Sequence, residues 1–310
     1  MVNWNVSTQG QGGGLNGLKA LFTNICLLSS SFRHAAKTTP LFFHRSNLSS
    51  DSPSFVNVIK EEGYGIVEMN RKPVNSLSSE MLTELANVIE RLEADPSCHG
   101  MILTSSLPKI FSAGLDITEF LKGDEQRLKH FWESFQGIWL KLYGSRLATV
   151  AAINGAAPAG GCLLAISCDY RIMADDANIG PNETLLGIVA PIWFKNTLVN
   201  TVGHRQAERL LCLGKLLDSS EAGDIGLVDR VVEKSGLIAA AREEMQKWLA
   251  IPAAARYETK KILRSPILEE LLAGREKDTK TFMDFTQKDS TQKLLKLYMK
   301  KLAEKSKAKK

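Results

Sequence analysis

A single carboxylate stands in an apolar part of this 310-residue sequence. Glu183 is the only acidic residue between Ala177 and Phe194. A carboxylate withdrawn from water has a raised pKa, and near neutral pH it can accept a proton and return it. Glu183 is therefore a candidate general base. An exposed loop glutamate, or a glutamate in a salt bridge, would give the same pattern, so these interpretations stay open.

A second candidate is the segment at residues 109–116, which reads KIFSAGLD. Ser112, Ala113 and Gly114 are small, so a ligand can approach the bare backbone there. A backbone N–H at such a place can bind negative charge that develops on an oxygen. A plain loop between a strand and a helix, with Gly114 at a positive φ, would explain the same residues.

A third candidate is the segment at residues 154–162, NGAAPAGGC, which precedes an apolar run at 163–166. A glycine pair that opens a helix, here Gly160 and Gly161, leaves unpaired N–H groups, and the helix dipole adds positive potential there. Two such donors would make an oxyanion hole. Close packing of a helix on a strand is the alternative, and the lack of a following GKS or GKT argues against a phosphate loop.

Other common kinds of site find little support in the sequence. The five cysteines form no CxxC pair and no close cluster with histidine, so neither a zinc site nor a disulfide framework is indicated. His99, His130 and His204 stand apart and share no motif. No GxSxG elbow occurs, so a serine nucleophile is not supported either.

The elements that must position these segments alternate between strand and helix. Short β-branched or apolar runs predict strands, and apolar positions at helical spacing after Ser78 and Ser79 predict a capped helix. This order favours an α/β fold with parallel pairings and helices packed outside. The predicted strands are 55–60, 65–70, 101–105, 149–154 and 170–174, and the predicted helices between them include 81–92 and 128–143.

The C-terminal part of the sequence is predicted to be helical from about Ala207. Residues 267–302 are expected to form two helices that meet near Lys280, and the Lys-rich end at 305–310 is typical of a solvated tail. We therefore expect a core at residues 51–250 and a helical region with this tail at 251–310. The other predicted helices are 207–213, 220–225, 236–250 and 252–262.

The first 50 residues differ from the rest in charge. They contain four Lys and Arg residues and no Asp or Glu, so they supply four of the five net positive charges. Together with the amphipathic stretch at 15–28, this composition predicts a mitochondrial transit peptide, with a disordered tail as the alternative. No run of eighteen apolar residues occurs, so no membrane span is expected. The small remaining charge gives no general basic field for nucleic acid.

In their order and spacing, the three candidate segments resemble the crotonase (enoyl-CoA hydratase/isomerase) superfamily. The resemblance covers about residues 55–301 and is carried by PVNSL at 73–77, FSAGLD at 111–116, PAGGC at 158–162 and NET at 182–184. It implies a crotonase-like spiral of repeated β-β-α turns with a helical C-terminal region. It also implies an enoyl-CoA substrate, a homotrimer, no cofactor or metal, and a place in the mitochondrial matrix.

The resemblance assigns roles to particular residues. The oxyanion donors fall on the backbone N–H groups of Leu115 and Gly160, and Glu183 falls on the acid–base position. Asn182 is expected to contact substrate, and Lys109 to lie near a CoA phosphate. The residues expected to line the bound CoA and thioester are Ala113, Gly114, Leu115, Asp116 and Ile117.

One departure from the hydratase pattern bears on the reaction. Hydratases of this superfamily carry a second glutamate just after the Gly-Gly-Cys stretch, and here that position is Leu163. Adding water requires two carboxylates, whereas moving a double bond requires one group that removes a proton from one carbon and returns it to another. Leu163 therefore favours an isomerase of β-oxidation, which converts a 3-cis- or 3-trans-enoyl-CoA to the 2-trans isomer.

Three alternatives remain open from the sequence. A weakly active or non-catalytic relative would keep these motifs to bind acyl-CoA, and a hydratase would add water to the same substrates. An RNA-binding relative would use lysines near the C-terminus, at positions 293, 296, 300 and 301. These lysines follow the spacing of a solvent-facing helix side without an aromatic stacking motif, which disfavours the RNA interpretation.

Overall fold

The structure is a computed structural model that describes residues 54–121 and 123–307. Its strands are β1 (Val56–Glu61), β2 (Tyr64–Met69), β3 (Gly100–Ser105), β4 (Ala148–Ile153), β5 (Ala157–Pro158), β6 (Tyr170–Ala174), β7 (Asn178–Gly180), β8 (Leu217–Asp218) and β9 (Arg230–Val232). The main sheet has the order β1-β2-β3-β4-β6-β9. The β1–β2 pair is antiparallel and the other pairs are parallel. A smaller sheet joins β5, β7 and β8.

Helices surround these sheets, which confirms the predicted α/β class and the helical C-terminal region. They are α1 (Ser79–Ala94), α2 (Glu125–Tyr143), α3 (Gly160–Ser167), α4 (Ile192–Leu213), α5 (Ser219–Asp224), α6 (Leu237–Leu249), α7 (Ala253–Thr286) and α8 (Asp289–Lys307). Short 3-10 helices lie at Ile117–Phe120, Glu183–Leu186 and Lys234–Gly236.

The local patterns explain why the first elements form where they were predicted. Every residue of β3 and β4 is buried, as expected for apolar strands covered on both faces of a parallel sheet. Helix α1 is capped by Ser78, whose hydroxyl accepts a hydrogen bond from the N–H of Met81. Its buried residues repeat at helical spacing, so one side of α1 belongs to the core.

The later helices depart from the sequence prediction in where they begin and end. Helix α4 begins at Ile192, well before the predicted Ala207, and its backbone is interrupted at Gly203, where φ is 76°. Helix α7 continues through both Pro266 and Lys280, so the predicted meeting point is wrong. A proline cannot donate to the carbonyl four residues earlier, which belongs to Ile262. Ile262 is 74% exposed, and water can replace the lost bond there.

A buried charge cluster holds the first part of α7 against the core. Lys260 and Arg264 contact the two carboxylate oxygens of Asp169 at 2.9 and 3.0 Å, and the Asp169 side chain is 3% exposed. Lys260 also donates to the backbone carbonyl of Leu147 at 2.9 Å. Because the buried carboxylate has two cationic partners, its desolvation is compensated and α7 is fixed at this point.

The predicted leader at residues 1–50 lies outside the described residues, and so does the end of the Lys-rich tail at 308–310. The division into a core at 51–250 and a helical region at 251–310 stays a prediction. Within the described part, no helix combines the length and the apolar composition that crossing a membrane requires.

Candidate active site

The three predicted segments meet at one large cavity of about 900 Å³. Its lining is mostly apolar and combines residues between Val74 and Phe194 with one side of α7 and two residues of α8. The predicted site residues that line it are Ala113, Leu115, Asp116, Ile117, Gly160, Asn182 and Glu183. Gly114 and Lys109, the other two predicted site residues, are not among the lining residues, and the roles assigned to all nine stay predictions.

Glu183 begins a 3-10 helix between β7 and α4, and this turn places its carboxylate in the cavity wall. Gly187 ends the turn in the left-handed region, with φ of 69°. The Oε2 atom of Glu183 is buried and has no hydrogen-bond partner among the described residues. Burial raises the pKa of Glu183 from 4.5 to about 7, against the opposing effect of a hydrogen bond from the backbone. The pKa therefore lies where proton transfer in both directions is efficient at neutral pH.

The loop that carries Leu115 is held in place by backbone hydrogen bonds to the segment before α1. The N–H of Leu77 donates to the carbonyl of Gly114 at 2.8 Å, and the N–H of Asp116 donates to the carbonyl of Leu77 at 3.1 Å. Gly114 has φ of +83°, as the loop interpretation expected. Among the described residues, no backbone acceptor takes the N–H of Leu115, which leaves this donor available to a ligand.

The second donor lies at the start of α3. Ala159 precedes the helix at φ of 51° and provides no side-chain cap, so the N–H of Gly160 remains an uncapped first-turn donor. A Cβ atom at Gly160 would lie 3.4 Å from the nitrogen of Leu115. The two donors therefore lie near each other, as an oxyanion hole requires.

The neighbouring glycine fits the packing interpretation. A Cβ atom at Gly161 would lie only 2.5 Å from the carbonyl oxygen of Ser112, a contact that the backbone does not tolerate. The two glycines therefore have different roles: one fits the packing interpretation and the other fits the oxyanion-donor interpretation. Gly161 allows α3 to approach the Ser112 loop, and Gly160 carries an uncapped N–H in the cavity lining.

The other predicted residues are placed differently. Asn182 lines the cavity, and its Oδ1 atom is buried without a hydrogen-bond partner in the described chain. Asp116 lines the cavity but pairs with Arg71 at 3.0 Å. Gly114 is buried beneath the lining, because a Cβ atom there would meet the nitrogen of Gly160 at 3.0 Å. Lys109 is exposed and does not line the cavity, so its contact with a CoA phosphate stays a prediction.

Sequence reasoning did not identify the aromatic part of the cavity wall. Trp132 of α2, Trp193 of α4 and Phe282 of α7 form part of its wall, and Trp132 stacks on Phe282 with ring centroids 3.7 Å apart. The indole nitrogens of both tryptophans donate to Asp278, which also lines the cavity. The apolar spacing along each helix indicated burial, but nothing in one sequence indicated that the three helices converge.

Two further observations limit the chemistry that the described residues support. Cys162, in the first turn of α3, is fully buried, and burial together with the charge of Glu183 raises the pKa of its thiol. A thiol in this state is a poor nucleophile. Within residues 54–121 and 123–307, no group of three or more His, Cys, Asp and Glu side chains is arranged to hold a metal ion.

Comparison with known proteins identifies the family. The sequence model of the family described as Enoyl-CoA hydratase/isomerase matches residues 60–309. The chain therefore belongs to the enoyl-CoA hydratase/isomerase family, and the resemblance found in its sequence is confirmed.

Within this family, the chain is similar to proteins named as isomerases. It is 49% identical over 245 residues to the mouse protein named mitochondrial enoyl-CoA delta isomerase 1, covering 78% of this chain and 85% of the relative. A crystal structure of human mitochondrial delta3-delta2-enoyl-CoA isomerase superposes with a TM-score of 0.80 at 46% identity, covering 81% of this chain and 99% of the other. A probable enoyl-CoA hydratase of Mycobacterium leprae is 35% identical over 190 residues, or 60% of this chain and 73% of the relative.

Proposed function

We propose that this protein is an enoyl-CoA delta isomerase, which shifts the double bond of a 3-enoyl-CoA to the 2-trans position during fatty acid β-oxidation. The observation that carries the proposal is the state of the carboxylates around the cavity. Asp116 pairs with Arg71, and Glu270 accepts a hydrogen bond from the side-chain amide of Asn196. Asp278 accepts hydrogen bonds from Trp132 and Gln136. Of the four acidic side chains that line the cavity, Glu183 alone has a buried oxygen without a partner in the described chain.

The reaction follows from this arrangement. The thioester carbonyl accepts hydrogen bonds from the N–H groups of Leu115 and Gly160, which lowers the energy of the dienolate that forms when a proton leaves C2. Glu183 takes that proton and delivers it to C4, and the double bond moves between C2 and C3. One carboxylate thus acts first as base and then as acid. The proton returns to the substrate, so the reaction is balanced without a metal, a redox cofactor or water.

The environment of Leu163 supports isomerisation over hydration. Leu163 is fully buried in α3, and its carbonyl accepts a hydrogen bond from the hydroxyl of Ser167. A side chain packed in this way supplies no second carboxylate to hold water. The mostly apolar lining of the cavity also offers few groups that would hold water beside the dienolate.

The same proposal includes the place and the assembly of the protein. The relatives that are 48–49% identical are named as mitochondrial, and the leader has the composition of a transit peptide, so we assign the protein to the mitochondrial matrix. Homotrimer formation is proposed from the family resemblance. Asn182 is proposed to hold the substrate through its buried amide oxygen, and Lys109 to approach a CoA phosphate.

The test is a steady-state assay of the purified protein with 3-trans-hexenoyl-CoA. The conjugated 2-enoyl thioester is followed by its ultraviolet absorbance. We expect turnover by the unchanged protein and a loss of about a thousandfold in kcat for Glu183→Gln, because the amide keeps the shape and removes the base. Glu269→Gln is the matched control, since Glu269 is an exposed glutamate of α7 outside the cavity lining.

Three outcomes separate the alternatives. Near-normal turnover by Glu183→Gln would refute the role of Glu183. Accumulation of a 3-hydroxyacyl-CoA from the 2-enoyl product would identify a hydratase. Binding of octanoyl-CoA without turnover by the unchanged protein would identify an acyl-CoA-binding relative.

A further inference from the structure

One side of α7 forms a long wall of the cavity. The cavity-lining residues of this helix recur at intervals of three and four from Ile267 to Phe285. At 1.5 Å per residue, this side extends for about 27 Å. Charged and apolar side chains alternate along this side, and its aromatic part, where Phe282 and Phe285 lie with Trp132 and Trp193, suits the acyl chain rather than the charged part of CoA. A short acyl chain occupies only part of this side.

A single oxygen atom joins this wall to two other helices. The Oδ2 atom of Asp278 accepts hydrogen bonds from Nε1 of Trp132 at 2.8 Å and from Nε1 of Trp193 at 3.3 Å. It also accepts one from Nε2 of Gln136 at 2.7 Å. Trp132 and Gln136 belong to α2 and Trp193 belongs to α4, so three helices meet at this carboxylate.

The surrounding contacts make this junction rigid. Gln136 is fully buried, and its Oε1 atom accepts a hydrogen bond from Nε of Arg275 at 3.0 Å. The Arg275 guanidinium also donates to the backbone carbonyl of Glu133 at 2.9 Å. The indole of Trp132 lies flat on the ring of Phe282, with an interplanar angle of 7°. Hydrogen bonding and stacking thus fix the orientation of the Trp132 ring from two directions.

We propose that Asp278 is a positioning residue that determines acyl-chain specificity, by holding the indoles of Trp132 and Trp193 as a preformed wall for the distal part of a long acyl chain. This inference rests on the proposed function for the identity of the ligand. A preformed wall binds a long chain without the cost of ordering its side chains, whereas a chain that ends before the wall gains nothing from it. Asp278 therefore affects long acyl chains and leaves short ones unaffected.

The experiment measures binding, so that it does not depend on turnover. Calorimetric Kd values are obtained for hexanoyl-CoA and tetradecanoyl-CoA with the full-length protein and its variants. We expect Asp278→Leu to weaken tetradecanoyl-CoA binding about tenfold and to change hexanoyl-CoA binding less than about twofold, because two indole donors lose their acceptor. Asp278→Asn keeps an acceptor oxygen and should restore most of the long-chain affinity.

Matched variants keep the result interpretable. Asp284→Asn changes an exposed acid of α7 outside the cavity lining and should alter neither Kd. Trp132→Phe keeps an aromatic ring and removes one donor, so it tests the same inference if Asp278→Leu does not fold. An unchanged ratio of the two Kd values in the folded variants would overturn the inference. A failure of the proposed function would instead appear as absent isomerisation by the unchanged protein.

Discussion

Two groups of cavity-lining residues differ in how their polar atoms are satisfied: the Glu183 end (Leu115, Asn182 and Glu183) and the aromatic end (Trp132, Trp193 and Asp278). At the Glu183 end, Glu183 and Asn182 each keep a buried oxygen without a partner in the described chain, and the N–H of Leu115 has no backbone acceptor there. At the aromatic end, Asp278 and Gln136 are both hydrogen-bonded several times. Buried polar groups without partners are costly, so their retention at one end indicates that a ligand completes them.

The difference indicates that the Glu183 end carries the reaction and that the aromatic end provides a binding surface. An end with unsatisfied groups gains free energy when the substrate and the developing oxyanion arrive, because the donors and acceptors are already in place. An end with satisfied groups gains nothing polar from a ligand, and it offers only a fixed apolar surface. Substitutions at the two ends should therefore affect different measurements.

The largest expected effect on stability comes from removing the unsatisfied charge. The pKa of Glu183 is about 7 in the folded protein, above the 4.5 of an ordinary glutamate, so the folded state holds its proton more tightly. The stabilisation that this proton gives the folded state is complete below about pH 4.5 and is lost as the pH rises through about 7. The loss amounts to about 3 kcal/mol of the free energy of unfolding. In urea unfolding, Glu183→Gln should thus gain about 3 kcal/mol over the unchanged protein between pH 4.5 and pH 8. An equal pH dependence of the two proteins would contradict the raised pKa.

The pH dependence of kcat/KM should also report the pKa of Glu183. A base acts in its ionised form, so kcat/KM should fall about tenfold per pH unit below pH 7, or about a hundredfold by pH 5. The measurement is the 3-trans-hexenoyl-CoA assay from pH 5 to pH 9. A flat profile over this range would exclude Glu183 as the base. The residual activity of Glu183→Gln should not show the fall in kcat/KM below pH 7.

A glycine substitution tests the geometry of the donors. Gly114→Ala places a Cβ atom 3.0 Å from the nitrogen of Gly160 at a backbone φ of +83°. It should shift the start of α3 and lower kcat by about tenfold or more. Gly226→Ala is the control, because its φ is +72° and nothing lies within 4 Å of the added atom. It should cost about 1 kcal/mol of stability through backbone strain alone and leave kcat unchanged.

The smallest expected effect is at the aromatic end. Trp193→Phe removes the longest of the three hydrogen bonds to Asp278, which is 3.3 Å, and the other two remain. The free energy of unfolding should fall by about 1 kcal/mol, with kcat for 3-trans-hexenoyl-CoA unchanged. A fall in kcat would show that the two ends are coupled.

The same contrast explains what the sequence predicted. Glu183, Gly160 and Leu115 lie in short segments whose composition is unusual, so local reasoning finds them. The cluster of Trp132, Trp193 and Asp278 lies in ordinary helices, and its contacts join residues that are 85 and 146 positions apart. Hydrophobic spacing predicts that such residues are buried, but it does not predict which of them meet.

Helix boundaries show a second limit of local reasoning. Strands and helices with strong patterns, such as α1 and β3, were predicted within one or two residues of their observed bounds. The sequence predicts that one helix ends at residue 262 and that the next begins at 267, yet α7 continues through Pro266 because buried residues on both sides, Lys260 and Leu271 among them, fix the helix to the core. Tertiary contacts outweighed a local preference against helix.

Two sets of contacts hold helix α7 in place along its length. Its first part is fastened through Lys260 and Arg264 to Asp169, and its later part is fastened through Asp278 to the tryptophans of two other helices. Pro266 follows the first anchor, where the helix lacks one backbone hydrogen bond. Two fixed points on one helix prevent it from sliding along its axis, so the Asp278 contacts stay in register with the Asp169 contacts across Pro266.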